Sequence, residues 1–544
     1  MSHLRVTLST AFLLAALLVQ QSPARSQQQL APSDAATIRT TSSLVFLDVT
    51  VVDKKGRPVT TALRRNDFAI TEDNKPEGIF SFEAPEAHVL DRRNLDASPE
   101  GNAPVTILVL DLLNSEFADF AYIRYEVRRF LMSQPEMLTS PSEMLVLGDE
   151  SLEMLQGFTR SRADLLYALD HLPAALPYKK QNASFYWERF DQSIDALQQI
   201  GLENRGVPGR KNIIWVGHGG PNVNLSPLSA LPERAEAELK QYVHDTTNML
   251  VDARMSLFVI YPAFKVQGFH VDQPSLWYTA LQAETNIGDD DPFAGDINFA
   301  VFVNETGGKL FYNRNDVDME IARSEDLGRN YYTLTYQPHD QFPNGKFRRI
   351  RVTLRDPNLR AITKAGYFAQ DSKASSDPRQ QAMMKLVEAA QSSLAFNALE
   401  VNLSGVKRHP DARTVECTVQ LKSKNLTWVP TANGKNAARL TFAAVSLNKD
   451  RTAMASTIRS LTLIATDDDL KRLPGVVSRI PLTIRTPNKT QSVRVVMLAE
   501  DGGRMGAADI DRKTIDAAPA SPTSDPQLSQ SPSASVRPAS FQWR

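Results

Sequence analysis

The sequence predicts an α/β domain, a doubly wound sheet with helices on both faces, set among β-sandwich units. Three observations carry this. The run Val105-Thr106-Ile107-Leu108-Val109-Leu110 is continuously apolar and stops at Asp111. A run apolar on both faces and too short for a buried helix marks the central strand of a covered parallel sheet. Between residues 104 and 329 such runs alternate with segments of helical period, the pattern of strands joined by crossover helices. On either side of that span, the patterning is of strands alone with turn-rich connections.

The elements follow in order. Residues 1–26 carry a short apolar core, 11–19, ending in Ala24-Arg25-Ser26. That core is too short to span a bilayer and its end fits a small-x-small cleavage site, so it reads as a secretory signal. Residues 41–83 form an N-terminal β unit: 44–52 is rich in β-branched residues, and Asp53-Lys54-Lys55-Gly56 is turn chemistry. Strands at 67–71 and 79–82 follow. Residues 84–103 mix Pro, Asn, Asp and Arg without a period and read as a linker.

In the α/β span, Phe120, Ile123, Val127, Phe130 and Leu131 place a helix after the first strand. Strands are expected at 144–147, 152–156, 212–216, 257–261 and 309–313, with helices at 162–172, 185–200, 233–255 and 317–329. Thr159 is read as the cap of the helix that starts at Ser161. Residues 262–297 lack a period and read as an insertion or mobile loop. Three strands follow in a β unit at 330–370, the last at 361–368. Arg348-Arg349 is read as the exposed face of a strand. A helix is expected at 379–396, then a C-terminal β-sandwich at 397–510 and a disordered tail at 511–544, rich in Pro, Ser, Ala and Gln. Two β units too small to stand alone flank one α/β domain, so they are expected to pair as a single sandwich with the α/β domain inserted.

Composition bounds the function. The chain has 544 residues, enough for about three domains, and 42% apolar residues, enough for real cores. A net charge of −1 excludes an electrostatic nucleic-acid binder. Its one cysteine, Cys417, excludes an intrachain disulfide. With no apolar run of transmembrane length beyond the signal, the expectation is an exported protein, periplasmic or extracellular, with no transmembrane segment after cleavage.

Asp111 stands at the carboxyl end of the central strand, where open α/β sheets place their ligands. Asn114 and Ser115 follow in the same loop, and Gly217-His218-Gly219 ends a neighbouring strand. Asp289, Asp290, Asp291 and Asp296 read as a solvated loop, since the glutamate spacing of a calcium loop is missing. No Gly-x-Ser-x-Gly elbow accompanies Ser115 and His218.

The strand, acidic loop and helix at 105–131 resemble the start of a von Willebrand factor A (VWA) domain. The wider chain resembles the VWA-related proteins of acidobacteria. The resemblance is carried by Val49-Thr50-Val51-Val52-Asp53 with Gly56-Arg57-Pro58-Val59, by Leu108-Val109-Leu110-Asp111, by Arg210-Lys211-Asn212-Ile213-Ile214, and by Gly345-Lys346-Phe347-Arg348 with Gly366-Tyr367-Phe368. It implies a Rossmann-like VWA domain and an exported location, and no defined reaction. In that family an Asp-x-Ser-x-Ser loop holds a divalent metal. Here Asp111 and Ser115 match, while Leu113 replaces the middle serine. Ser184 is the nearest hydroxyl to the family's threonine, and His218 replaces its second aspartate. Hard cations demand oxygen ligands, so the metal site reads as degenerate: no cofactor is expected, and Mg²⁺ on Asp111 and Ser115 is the sole candidate.

The expected function is an exported interaction or scaffold protein of the cell envelope. It would bind a protein or surface ligand through an edge made of Asp111, Leu113, Asn114, Ser115, Ser184 and His218. The alternative is a metal-dependent hydrolase using Asp111 and His218.

Overall fold

The computed structural model describes residues 44–59, 62–89, 103–115, 117–149, 151–172, 183–221, 223–224, 233–263, 291–293, 296–297, 299–369, 378–422, 426–431, 433–472 and 477–520. The protein is mixed α/β with several sheets. Strands β1 (Val45–Val52), β2 (Phe68–Glu72), β3 (Lys75–Glu77) and β4 (Ile79–Glu83) come first. No strand is expected from the sequence between 71 and 79, yet β3 lies there. Asp73 and Asn74 take positive φ there, which folds the chain back tightly enough to add the short strand.

The six-stranded sheet of the α/β domain contains β5 (Val105–Asp111), β6 (Met137–Leu147), β7 (Leu152–Ser161), β8 (Lys211–Val216), β10 (Met255–Pro262) and β12 (Lys309–Arg314). Its order is β12-β10-β8-β5-β6-β7, parallel except for the edge strand β7. The minor strands β9 (Val223–Asn224) and β11 (Asp296–Ile297) pair separately.

Alternate residues of β5 feed two cores. Ile107 and Val109 pack against α3 (Ala183–Glu203), α4 (Glu233–Asp252) and α5 (Phe299–Glu305). Leu108 and Leu110 pack against α1 (Phe117–Ser133), α2 (Arg162–Asp170) and α6 (Val317–Arg329). Period-two alternation on a strand with both faces covered produces this division. The β6–β7 pair is longer than its apolar runs suggest, because hydrogen bonding continues past them to Ser161. The cap of α2 is Ser161, whose Oγ accepts from Asp164 N at 3.2 Å, and not Thr159. Thr159 instead donates to the Asp164 carboxylate at 2.9 Å.

Strands β13 (Tyr332–Tyr336), β14 (Phe347–Leu354), β15 (Arg360–Ile362) and β16 (Gly366–Phe368) follow the α/β domain. They pair with strands that precede it. Val45 to Val49 of β1 face Tyr336 to Tyr332 of β13, and Phe68 to Glu72 of β2 face Leu354 to Ile350 of β14. The resulting sheets, β15-β1-β13-β4 and β16-β14-β2-β3, share a core of Val45, Leu47, Val49, Phe68, Ile70, Leu334 and Ile350. The segment read as one strand at 361–368 is two, β15 in one sheet and β16 in the other. Arg348 is buried rather than exposed. It reaches Asp340 at 2.8 Å and the Phe342 carbonyl at 3.2 Å, so its charge turns inward to a partner.

This sandwich holds the α/β domain at the amino ends of its parallel strands. Arg254, just before β10, grips Asp48 of β1 through Nε at 3.0 Å and Nη2, and Nη2 also donates to Thr333 at 2.9 Å. Arg210, at the mouth of β8, donates to Thr50 Oγ1 at 2.8 Å. Next to it, Lys211 Nζ donates to the carbonyls of Val207 and Ala253, and burial pushes its ammonium down to about 7. Nothing in the sequence marks this pair as buried. In the structure both side chains are fully buried at the junction.

Helix α7 (Pro378–Gln391) leads into two further sheets. One is β17-β18-β22, from β17 (Val401–His409), β18 (Thr414–Lys422) and β22 (Val477–Arg485). The other is β19-β20-β23-β24, with β21 (Ala453–Ala465) paired to β20. It comprises β19 (Val429–Pro430), β20 (Asn436–Leu447), β23 (Ser492–Ala499) and β24 (Met505–Asp511). Cys417 lies buried and free between the sheets, where burial pushes its thiol up to about 11. The region read as a tail from 511 opens instead with a helix, Arg512–Ala517, because Asp511 caps it through Thr514 N at 2.7 Å. Residues 521–544 lie outside the described residues. Leu386, Ala389, Leu394 and Phe396 join Val445, Leu498 and Met505 to the core beneath α3, so one apolar core runs from the α/β domain into this last domain. Among the described residues, no helix is long and apolar enough to cross a membrane.

Candidate functional site

Asp111 ends β5 at the edge opposite the sandwich junction and is fully buried. Its carboxylate is surrounded by N–H groups. Oδ1 accepts from Asn114 N at 2.9 Å and from Asn114 Nδ2 at 3.0 Å. Oδ2 accepts from Trp215 Nε1 at 2.9 Å, Gly219 N at 2.9 Å and Asn114 Nδ2 at 3.1 Å. Burial pushes the Asp111 carboxyl up; the hydrogen bonds from Trp215 and Asn114, with the charge of Arg189, pull it back.

Local geometry explains the arrangement. Asn114 lies three residues on, where a short loop returns its N–H to the aspartate, as in an Asx-type turn. Trp215 sits opposite Val109 in the parallel ladder, on the same face as Asp111 and one pleat behind it, so its indole reaches forward to the carboxylate. Gly217 follows with φ +146°, and a Cβ there would lie 2.4 Å from Asp111 Cβ. Only glycine admits that approach, and it swings the Gly219 N–H onto Oδ2.

The remaining residues expected at the edge divide. Leu113 is buried in the core on the α3 face. Asn114 also donates to Ser193 Oγ at 3.1 Å and accepts from Arg189 Nε at 2.9 Å. Ser115 Oγ is buried with no hydrogen-bond partner among the described residues. Ser184 falls in the first turn of α3, and its side chain lies outside the described residues. The half-buried His218 ring stacks on Tyr261 at 4.4 Å and 11°, and Tyr261 lies 4.9 Å from Tyr312. Burial pushes the Tyr261 hydroxyl up. Asp289 and Asp290 lie outside the described residues. Asp291 accepts from Phe293 N at 2.9 Å and pairs with His244 Nε2 at 3.0 Å, which makes it a turn cap. Asp296 lies in β11.

These residues do not fit a hard divalent cation. Mg²⁺ and Ca²⁺ take oxygen lone pairs. Around Asp111 five N–H contacts already occupy them, and Leu113 has turned into the core. Among the described residues no group of three or more His, Cys, Asp or Glu side chains is arranged to hold a metal. Sequence reasoning missed Trp215, Gly219 and Arg189. The first two had a signal, a tryptophan in the strand beside the aspartate and glycines just past it. Arg189 had none, because only the fold brings α3 over the loop.

No protein-family model matches the chain, and no curated protein does. Among solved structures, the chain is similar to the PilB minor pilin from Streptococcus sanguinis, at 10% identity and TM-score 0.24, over 42% of this chain and 61% of that one. It thus spans about three-fifths of the pilin's length. It is also similar to a crystal structure described as the SpRpn10 VWA domain, at 14% identity and TM-score 0.22, over 42% of this chain and 97% of that one. The second is a weak structural neighbour of VWA type.

Proposed function

We propose that the protein is an exported VWA-type interaction module of the cell envelope, which binds a protein or surface ligand at the Asp111 edge without a metal. The topology favours the VWA reading: a parallel sheet with one antiparallel edge strand and an aspartate at the end of its central strand. Ligands of such sheets sit at the carboxyl ends of the strands. The observation that carries the metal-free reading is the saturated carboxylate of Asp111. A carboxylate that accepts several N–H bonds is held in place and has no need of a cation to neutralise it. The buried ion pair and hydrogen bonds at the opposite end brace the domain, leaving this edge for a partner. Export is supported by the apolar core at 11–19 and its small-x-small end.

Trp187, 42% exposed near the start of α3, and His218 supply aromatic surface for such contact. Crosslinking and capture from the envelope fraction, with wild type beside a Trp187→Ser/His218→Ala variant, tests the proposal. The expected result is a species captured by wild type in EDTA and reduced tenfold or more with the variant. Equal capture by both, or capture that requires Mg²⁺, contradicts it.

A further inference from the structure

The edges of the C-terminal sandwich are guarded unequally. One side is closed. Leu399 N donates to the Met505 carbonyl at 2.9 Å and Ala507 N to the Phe396 carbonyl at 2.8 Å, so the segment entering β17 is stitched to β24. The far edge of β17 is met where Arg408 N donates to the Pro519 carbonyl at 3.1 Å. On the other side β21 and β22 lie next to each other. β22 carries Pro481, which withholds a donor and blunts that edge. β21 has no such guard. It runs for 13 residues, Ala453–Ala465, with no proline, glycine or lysine and a single charge, Arg459. Among the described residues it pairs with β20 alone, and no other backbone hydrogen bond reaches it. An antiparallel strand turns part of its N–H and C=O groups to each side, so the outer row of β21 is open to a further strand.

That edge is also straight and firmly held. From Ala465 to Ala455 the ladder with β20 keeps one register, opposite Asn436 to Ser446. The other long edge strand, β7, shifts register against β6 at three points, and bulges of that kind turn an edge away from partners. Leu461 and Leu463 anchor β21 on the sandwich core, and Ile458 anchors it on the core shared with α7. The Thr441 and Ser460 hydroxyls meet at 2.7 Å. Beyond them Ile464 is 56% exposed.

We propose that β21 is a dimerisation edge, which pairs antiparallel with β21 of a second copy of this chain about a two-fold axis through Leu461. The strand is complementary to itself. Residues directly opposite in a sheet lie on one face, so the axis of such a pair passes through a residue. An axis through Arg459 would set two guanidinium groups against each other, which opposes pairing. Moved two residues to Leu461, the axis sets Arg459 against Leu463, Ser460 against Thr462 and Ile458 against Ile464. Hydroxyl then meets hydroxyl and aliphatic meets aliphatic, the pairings that stabilise neighbouring strands. The two sheets join into one, and each exposed Ile464 gains cover. A dimer carries two Asp111 edges, which multiplies the apparent affinity for a repeating envelope ligand.

The test is sedimentation of the full chain across a concentration series. Wild type should form a dimer that dissociates on dilution. Thr462→Lys/Ile464→Lys places positive charge beside the axis, and Thr462→Glu/Ile464→Glu places negative charge there. Both positions are exposed, so the core is left intact. Each variant alone should dimerise about tenfold or more weakly than wild type, since like charges face each other across the axis. An equimolar mixture of the two should dimerise again, a recovery that misfolded chains could not show. Wild type that stays monomeric at every concentration overturns the proposal. So does either variant dimerising as strongly as wild type, or a mixture no better than its components.

Discussion

Asp48→Ala should cost the fold about 3 kcal/mol, because it leaves buried guanidinium charge without its partner. Asp48 lies on β1 and meets Arg254 in a two-pronged pair, with Thr333 also donating to its carboxylate at 3.0 Å. Arg210 adds its charge from the mouth of β8. Burial pushes the Asp48 carboxyl up, yet Arg254 and its neighbours outweigh this and hold it below the ordinary carboxylate value. A carboxylate lowered by folding stabilises above its unfolded pKa of about 3.9, and that contribution is lost as pH falls through the folded value. Chemical denaturation at neutral pH should show the full loss. The gap between wild type and Asp48→Ala should close below about pH 4. Asp48→Ala/Arg254→Met should recover part of the loss, since the pair is removed together. A double variant no better than Asp48→Ala, or a gap independent of pH, contradicts the assigned role of the junction.

Gly217→Ala should be nearly as costly, about 2–5 kcal/mol from overpacking and backbone strain together. The added Cβ meets Asp111 Cβ at 2.4 Å, and neither atom can move by changing rotamer. Relief requires the 217–219 turn to withdraw, which pulls the Gly219 N–H from Oδ2 and loosens the edge. The loss should therefore appear both in denaturation and in envelope capture. Gly345→Ala is the control: its φ is +71° but a Cβ there meets nothing within 4 Å, so it should cost only about 1 kcal/mol. Equal costs at the two positions would show that contact with Asp111 is not what fixes Gly217.

The layered core was legible in sequence because its signal is local. Val105 to Leu110, Ile213 to Val216 and the apolar stripe Phe120, Ile123 and Val127 state strand and helix without knowledge of the rest. Asp111 was legible for the same reason, as a charge at the end of an apolar run. What stayed hidden depends on tertiary register. The burial of Arg210, Lys211 and Arg348 stayed hidden because lysine and arginine are seldom buried, yet Arg210 meets the Thr50 hydroxyl of β1, Lys211 the carbonyls of Val207 and Ala253, and Arg348 the Asp340 carboxylate. The break between β15 and β16 was hidden because a strand that changes sheets keeps its alternation. Leu113 was legible as a side chain that cannot ligate a cation, whereas the N–H groups that Trp215, Gly219 and Asn114 turn on Asp111 depend on the parallel register of β5 and β8 and on the loops that follow them.

The most direct test of a metal-free edge is the environment of Trp215 itself. Its indole N–H donates to Asp111 Oδ2 at 2.9 Å, so any cation taken up by that carboxylate must disturb it. With 5-fluorotryptophan in the five tryptophan positions, the Trp215 fluorine signal is the one missing from Trp215→Phe. Millimolar Mg²⁺ should leave the signal unshifted and Mn²⁺ should leave its width unchanged. A shift with Mg²⁺ or broadening with Mn²⁺ confined to the Trp215 signal would place a cation at Asp111 and contradict the account.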